Sequence, residues 1–311
     1  MTQKKLRVAE VIENIPINPL YFKIILRLNE INSIKPGQFI NLKLDNIQQT
    51  FKNKPIFEYS EFTDLQIKKP FLMRPFSVGR IIEREGEDLT AEFLIKEIGI
   101  GSHLIHNVSK GTVLNYLGPL GNHFKIKEGI KTAILIAGGT GLAPLMALSD
   151  SLVERNIKTY LIAGGTDKDN LPVDVIKNTG SLSDLVPKSN CIIPDVESKW
   201  VHTGISTDDG SLGYKGFVTD LAENLLNIMD TENLKESCLY SCGPINMMKA
   251  AHKLAEKHGT DHQVSLERHM ACGLGVCLSC VNRIRKDNEW EHVSICNEGP
   301  VFEADKVIFH D

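Results

Sequence analysis

No stretch of this 311-residue chain holds the roughly 18 consecutive apolar residues that cross a membrane as a helix. The longest candidate, "TAILIAGGTGLAPLMAL", is broken by glycines and a proline. A strong excess of one charge is missing as well, since the net charge is −4. With no basic cluster interleaved with aromatics, that balance argues against a nucleic-acid surface. "MTQKKLRVAEVIE" carries charges with no apolar stretch behind them, so no signal peptide is expected, and the expected compartment is the cytoplasm. Internal repeats and low-complexity segments are also absent. The composition is that of a globular protein, with 42% hydrophobic and 24% charged residues. Its length suits two to three domains of about 100–150 residues.

Up to about residue 125 the chain reads as short strands: "LRVAEVIE", "YFKIILRL", "GQFINLKL", "RPFSVGRII" and "LTAEFLIKEI". Turn formers separate most of them, and "SHLIHNV" is the one short helical candidate. This pattern predicts an antiparallel barrel. Asp45 to Pro70 fits neither period and is expected to be an exposed surface insertion, or, through Phe51, Phe57, Tyr59 and Phe62, a partner contact. Near Lys131 the pattern changes. "TAILIAGG" and "TYLIAGG" are continuous apolar runs, as in strands buried on both faces. "LAPLMALSDSLVER", "FVTDLAENLLNIM" and "INMMKAAHKLAEKHG" read as helices, the last closed by Gly259, with "SCLYSCG" a further strand. Alternating strand and helix predicts a parallel sheet. A cysteine- and glycine-rich unit follows from about 264. The expected fold is therefore α+β and multidomain, divided at 1–128 (barrel), 129–262 (α/β) and 263–311 (small C-terminal unit).

Seven cysteines in a reducing compartment suggest metal or catalysis before disulfides. Cys272, Cys277 and Cys280 read C-x4-C-x2-C, and Cys296 follows. This is the plant-type spacing for a [2Fe–2S] cluster. One loop supplies three thiolates, and Gly273 and Gly275 permit its tight turns. Tetrahedral zinc is the main rival, although zinc modules more often pair two C-x2-C hooks, and inert thiols are a third reading. His269 and His292 lie nearby in sequence but read as surface residues.

Three further motifs bear on binding. "AGGTGLAP" joins a buried strand to a helix, so Gly138, Gly139, Thr140 and Gly141 could bring backbone N–H groups to a phosphate. Pro144 stands where a third fingerprint glycine would be, which excludes the usual dinucleotide fold; a plain turn is the alternative. In "RPFS", Arg74 suits a phosphate oxygen and Ser77 a ring nitrogen, with Gly99, Gly101 and Ser102 offering donors downstream; a strand arginine and a turn would explain them equally. "YSCGP" places Cys242 beyond the carboxyl end of a strand, where ligands of parallel sheets sit, unless it is a core thiol. Cys191 and Cys238 read as buried thiols. "AGGTDKDN" offers Asp167 and Asp169 with no arginine for a 2′-phosphate, which favours NAD over NADP.

In this order the motifs resemble the ferredoxin–NADP reductase superfamily and, within it, the electron-transfer subunits of two-subunit, NAD-dependent (class 1B) dihydroorotate dehydrogenases. The residues that carry the resemblance are "MRPFSV", "IKEIGIGS", "GPLGNHF", "IAGGTGLAPL", "STDDGSLGYKGFVTD", "YSCGP", "SLERHMACGLGVCLSC" and "CNEGPVFEADKVIF", spanning residues 73–309. The resemblance implies FAD in the barrel, NAD in the α/β unit, a [2Fe–2S] cluster in the C-terminal unit, and a role in pyrimidine biosynthesis. It implies a catalytic FMN-containing partner subunit, in a heterotetramer. Carried over by position, Arg74, Pro75, Phe76, Ser77, Leu94, Ile95, Lys96, Gly101 and Ser102 would bind FAD. Cys272, Cys277, Cys280 and Cys296 would hold the cluster, and Ser77 and Cys242 would border the hydride-transfer site. The Asp45–Pro70 insertion departs from the family pattern. Two other roles remain open: the reductase subunit of a hydrogenase or a sulfide- or ferredoxin-linked complex, and a redox-sensing module without turnover.

Overall fold

The computed structural model describes residues 5–43, 72–82, 88–177, 182, 186, 191–287 and 289–309. The Asp45–Pro70 insertion lies outside the described residues. The N-terminal sheet contains β1 (Leu6–Asn18), β2 (Tyr21–Leu28), β3 (Phe39–Lys43), β4 (Arg74–Ser77), β5 (Arg80–Ile82), β6 (Leu89–Lys96) and β7 (Val113–Leu120), in the antiparallel order β4-β3-β7-β1-β2-β6-β5. In β2 the period-2 pattern sends Phe22, Ile24, Leu26 and Leu28 into one core. "RPFSVGRII" is two strands rather than one. At the break, the Val78 and Gly79 amides donate to the carbonyls of Gln38 and Glu92. Helix α1 (Ile100–His106) lies between β6 and β7.

The second unit is a mainly parallel sheet. Its strands are β8 (Thr132–Gly138), β9 (Lys158–Gly165), β12 (Val201–Thr207), β13 (Tyr214–Lys215), β14 (Ser237–Cys242) and β15 (Asp261–Ser265); β10 (Ile176–Lys177) and β11 (Cys191–Ile192) form a separate short pair. Helices α2 (Leu142–Val153), α3 (Val218–Ile228), α4 (Thr231–Lys235) and α5 (Ile245–His258) complete it. β8 is buried almost throughout, as a strand covered on both faces must be. Gly259 ends α5 in the left-handed conformation, φ 67°. The sheet order is β13-β12-β9-β8-β14-β15-β18, where β18 (Val301–Glu303) pairs antiparallel with β15. Chain order reverses between β8 and β14, and a ligand crevice is expected at such a point.

The remaining C-terminal segment carries the hairpin β16 (Val281–Lys286)–β17 (Glu289–Ser294) and the short helix α6 (Ile295–Glu298). It is not an independent bead. β18 extends the sheet of the second unit, and the 262/263 division falls inside β15. Cys280, Ile284, Val293, Ile295 and Cys296 share one core with Phe39, Leu117 and Leu120 of the barrel and Met248 of α5.

Candidate functional site

At the carboxyl edge of the parallel sheet, Gly139–Gly141 form a single tight turn between β8 and α2. Gly141 faces the backbone of Cys242 so closely that a Cβ there would collide with the Cys242 carbonyl. Gly138 is pressed in the same way against Pro244. The two turns that the sequence motifs singled out therefore meet. Cys242 pairs with Ala137 on one side and Ser265 on the other. Its thiol is pushed up to about 12, first by burial and then by Glu267, against a hydrogen bond with Ser265.

The barrel reaches the same crevice. Tyr21 donates through its hydroxyl to the Asn170 carbonyl (3.4 Å), and its oxygen lies 3.6 Å from where a Cβ of Gly139 would stand. Burial, then Asp167 and Glu267, raises the Tyr21 phenol to about 12. Lys96 Nζ donates to Asn170 Oδ1 (2.9 Å) and lies 5.3 Å from the Tyr21 ring centre. Glu267, just past β15, is exposed by area yet crowded, and desolvation holds its carboxyl above the ordinary range. Tyr21, Asn170 and Glu267 escaped the sequence reading: "AGGTDKDN" and "SLERHMACGLGVCLSC" contain Asn170 and Glu267 without giving them a role, and Tyr21 reads only as a strand residue. Ser265 and Glu267 could have been found by extending the strand after Gly259 to its carboxyl end.

Arg74 to Ser77 form β4, with Ser77 opposite Phe39. Arg74 Nη1 donates to the Leu72 carbonyl (2.9 Å), and among the described residues the guanidinium has no carboxylate partner, so it suits a phosphate. Phe76 packs on the barrel core. Leu94 joins the core of the second unit, whereas Ile95 is buried in the barrel core, so only its backbone can face a cofactor. The Ser102 hydroxyl accepts from the amides of Ile98 (2.9 Å) and Gly99 (3.1 Å) and donates to the Gly99 carbonyl (3.0 Å). It shapes the loop, and its one proton is committed there. A Cβ on Gly99 would meet nothing within 4 Å, which leaves an open cradle beside the helix start. Asp167 likewise spends its carboxylate locally, accepting from the amides of Asp169 (2.9 Å) and Asn170 (3.0 Å) and from Thr166 Oγ1 (3.0 Å).

The cysteine loop is shaped by left-handed residues. Gly273 (φ 65°) and Gly275 (φ 82°) need no Cβ, whereas Leu278 (φ 57°) adopts that conformation as a leucine. Amides turn toward the sulfurs: Leu274 N lies 3.3 Å and Cys277 N 3.4 Å from Cys272 Sγ, Gly275 N 3.1 Å from Cys296 Sγ, and Cys296 N 3.5 Å from Cys280 Sγ. Cys272 interacts with both Cys277 and Cys296, and Cys280 with Cys296, so the four thiols form one connected group. Among the described residues no three His, Cys, Asp or Glu side chains gather about a single-ion position. Amides aimed at the sulfurs suit an iron–sulfur cluster. Ser279 and then Cys272 lower the Cys277 thiol to about 6, while burial and then Cys280 raise Cys296 to about 12. Metal binding would deprotonate both.

Two family models match the chain. The iron–sulfur cluster binding domain of dihydroorotate dehydrogenase B covers residues 267–308, and the oxidoreductase NAD-binding domain covers 135–253. A dihydroorotate dehydrogenase B (NAD(+)) electron transfer subunit from Fusobacterium nucleatum is 31% identical over 306 residues, 97% of this chain and 98% of the relative. The chain belongs to the dihydroorotate dehydrogenase B electron-transfer subunits. A relative of the same name from Caldanaerobacter subterraneus is 32% identical over 241 residues, 78% of this chain and 83% of its own. In fold, the chain is similar to an NADH-dependent reduced ferredoxin–NADP oxidoreductase solved in work on flavin-based electron bifurcation. That likeness has a TM-score of 0.70 at 22% identity, covering 99% of this chain and 92% of that one. A ferredoxin NADP+ reductase from Neisseria gonorrhoeae with bound FAD and NADP aligns with TM-score 0.54 at 16% identity, over 83% of this chain and 93% of its own. As a member of the family, the chain is an electron-transfer subunit of an NAD-linked oxidoreductase, with an iron–sulfur cluster binding domain and an NAD-binding domain. Among the described residues no helix is long and apolar enough to cross a membrane.

Proposed function

We propose that the chain takes electrons from an FMN-containing, dihydroorotate-oxidising partner in a cytoplasmic heterotetramer and delivers them to NAD. The cluster supplies one-electron transfer and FAD the conversion to a hydride. Cys272, Cys277, Cys280 and Cys296 hold the cluster, with Gly273 and Gly275 allowing amides to face the sulfurs. Arg74 neutralises phosphate charge, and Ser77 donates to the flavin ring. The backbone of Leu94 to Lys96 borders the same cofactor, and Ser102 keeps the Gly99–Gly101 loop open for the pyrophosphate. Gly138 to Gly141 receive the dinucleotide at the reversal point of the sheet. Cys242, Tyr21 and Glu267 enclose the place where the nicotinamide must lie. Because Asp167 is committed to its own turn, NAD selectivity rests on Asp169 and on the lack of an arginine between 164 and 170.

The observation that supports this reading is the meeting of the Gly139–Gly141 turn with Cys242 and with Tyr21 of the barrel, whose hydroxyl lies 3.6 Å from where a Cβ of Gly139 would stand. Anaerobic purification should give brown-yellow protein with flavin and iron–sulfur absorption together, and should co-purify the dihydroorotate-oxidising subunit. Zinc in place of iron and sulfide would overturn the cluster assignment. A different co-purifying dehydrogenase would overturn the partner.

A further inference from the structure

Between Cys277 and Cys280 the chain turns through Leu278, which holds the left-handed conformation at φ 57°. An L-residue enters that region at a cost, and such outliers gather at functional sites. Past the turn, the side chain of Ser279 comes back to the residue two before it. Ser279 Oγ lies 3.2 Å from Cys277 Sγ, where either atom could be the donor. The same oxygen accepts from the Ala271 amide (3.1 Å) and reaches the His269 carbonyl at 3.5 Å.

A serine hydroxyl has one proton and two lone pairs. The Ala271 amide occupies one lone pair and so restricts where the proton can point. Two acceptors are within reach: the sulfur, and a carbonyl at the outer limit of a hydrogen bond. A cysteine that ligates a metal is a thiolate and has no proton to give. With Cys277 on iron, the hydroxyl must therefore be the donor.

The other donors to the quartet described above are main-chain amides: Leu274 and Cys277 to Cys272, Gly275 to Cys296, and Cys296 to Cys280. Any sequence that adopts the same loop supplies these. Ser279 differs, because one substitution removes its donor and the C-x4-C-x2-C spacing does not call for a hydroxyl there. Cys277 is also the exposed member of the quartet, and its neighbours Val276 and Leu278 are exposed and uncharged. No charge adjacent in sequence competes with the hydroxyl at this sulfur. Reduction adds negative charge to an iron–sulfur cluster, and hydrogen bonds to its sulfurs favour the more negative state.

We propose that Ser279 tunes the cluster, donating its hydroxyl to the Cys277 sulfur and so raising the potential at which the cluster accepts its electron. It is a positioning residue acting through Cys277, and no bond to it forms or breaks as the electron passes. The proposal rests on the cluster reading above and adds the side chain that sets the cluster's poise. A higher potential favours uptake from the electron donor and makes the following transfer to FAD less downhill.

The test is an anaerobic redox titration of the chain purified with its FAD and cluster, using electron paramagnetic resonance to follow the reduced cluster apart from the flavin. Ser279→Ala should lower the cluster potential by about 60 mV, a tenfold change in the one-electron equilibrium, with iron and sulfide content unchanged. Ser279→Thr, which keeps the hydroxyl, should stay near the wild-type value. An alanine variant with its full cluster and an unmoved or raised potential would overturn the proposal. So would an equal fall in both variants, which would trace the effect to disturbed packing. Loss of iron from Ser279→Ala while Ser279→Thr keeps it would mean that the hydroxyl holds the loop without tuning the cluster, and the proposal would fall. A wild-type chain that carries zinc, or shows no reversible one-electron step, would instead overturn the cluster reading itself.

Discussion

The Cys242 thiol, pushed up to about 12 by burial and by Glu267, stays protonated at neutral pH. It therefore acts by shape and as a neutral neighbour, never as a thiolate nucleophile. Because Gly141 rests on its backbone, the side chain borders the crevice from a fixed position. Cys242→Ala should slow NADH oxidation with every acceptor by about 10-fold or more, because reacting atoms held about 3–3.5 Å apart tolerate little displacement. Flavin and iron content should be unchanged, as absorption spectra would verify. Glu92 allows a different test. Its side chain is buried beside Lys23 (3.6 Å), which also faces Asp195 (3.7 Å). Burial raises its carboxyl above the ordinary 4.5, against Lys23 and Arg80. The folded state thus holds this proton more tightly than the unfolded chain, and stability falls as pH rises from 4.5 through the raised value. In Glu92→Gln that decline should be smaller, so thermal melts of variant and wild type should move in the variant's favour with rising pH. The four cysteines proposed as ligands stood out at this scale because three of them fall within nine residues. Tyr21, Asn170 and Glu267 did not, because only the folded chain brings them together.

Helix α1 is held along its C-terminal half by polar side chains from outside it. Glu97 accepts from His103 Nδ1 (2.6 Å) and His106 Nδ1 (2.5 Å), while the His106 ring stacks on Phe22 with centroids 4.4 Å apart. Asn14 Nδ2 donates to the carbonyls of Ile105 (3.0 Å), His106 (2.8 Å) and Val108 (3.3 Å), at the same end. Asn14→Ala would remove the donor these carbonyls share, leaving Ile105 only the Val108 amide, and should cost about 1–3 kcal/mol, read as a lower Tm and as free flavin fluorescence. Burial pushes the Glu97 carboxyl up, but the hydrogen bonds from His106 and His103 outweigh it and hold the group below 4.5. Its contribution is thus complete above 4.5 and is lost as pH falls through the lower folded value. Acid titration of the wild type should release FAD in that range, and Glu97→Gln should release it already at neutral pH. The sequence announced α1 and the long helices through their apolar period, and β8 and β9 through continuous apolar runs. It concealed β7, "VLNYLGPL", behind a Gly-Pro pair that reads as a turn. β12, "VHTGIST", is marked only by its neighbours in the sheet.

In the whole molecule, the four cysteines proposed as cluster ligands differ in what lies behind them. Cys277 is exposed, whereas Cys280 and Cys296 are 2% and 1% exposed and belong to the core shared with Phe39, Leu117 and Met248. Cys277→Ser should abolish electron transfer from the partner while sparing FAD content and NADH–dye reduction. Cys280→Ser places a hydroxyl in that core and should also lower Tm and weaken flavin retention. Equal flavin loss in both variants would show that exposure does not separate their effects. The order of the three units along the chain could be read from where periodicity changed. Their fusion could not, because the contacts that join them run between residues far apart in sequence, 74 positions for Lys96 and Asn170 and 231 for Asn41 and Cys272.

Gly273 faces the Asn41 side chain so closely that a Cβ would strike its amide, and that amide reaches the Cys272 carbonyl at 3.4 Å. The cluster loop is therefore keyed to one residue of a barrel strand. A graft of residues 267–309 onto another reductase would uncover Phe39 and Leu117 and would meet a different side chain at the key. The cluster unit should therefore seat on another barrel only if the residue at the position of Asn41 is carried over with it.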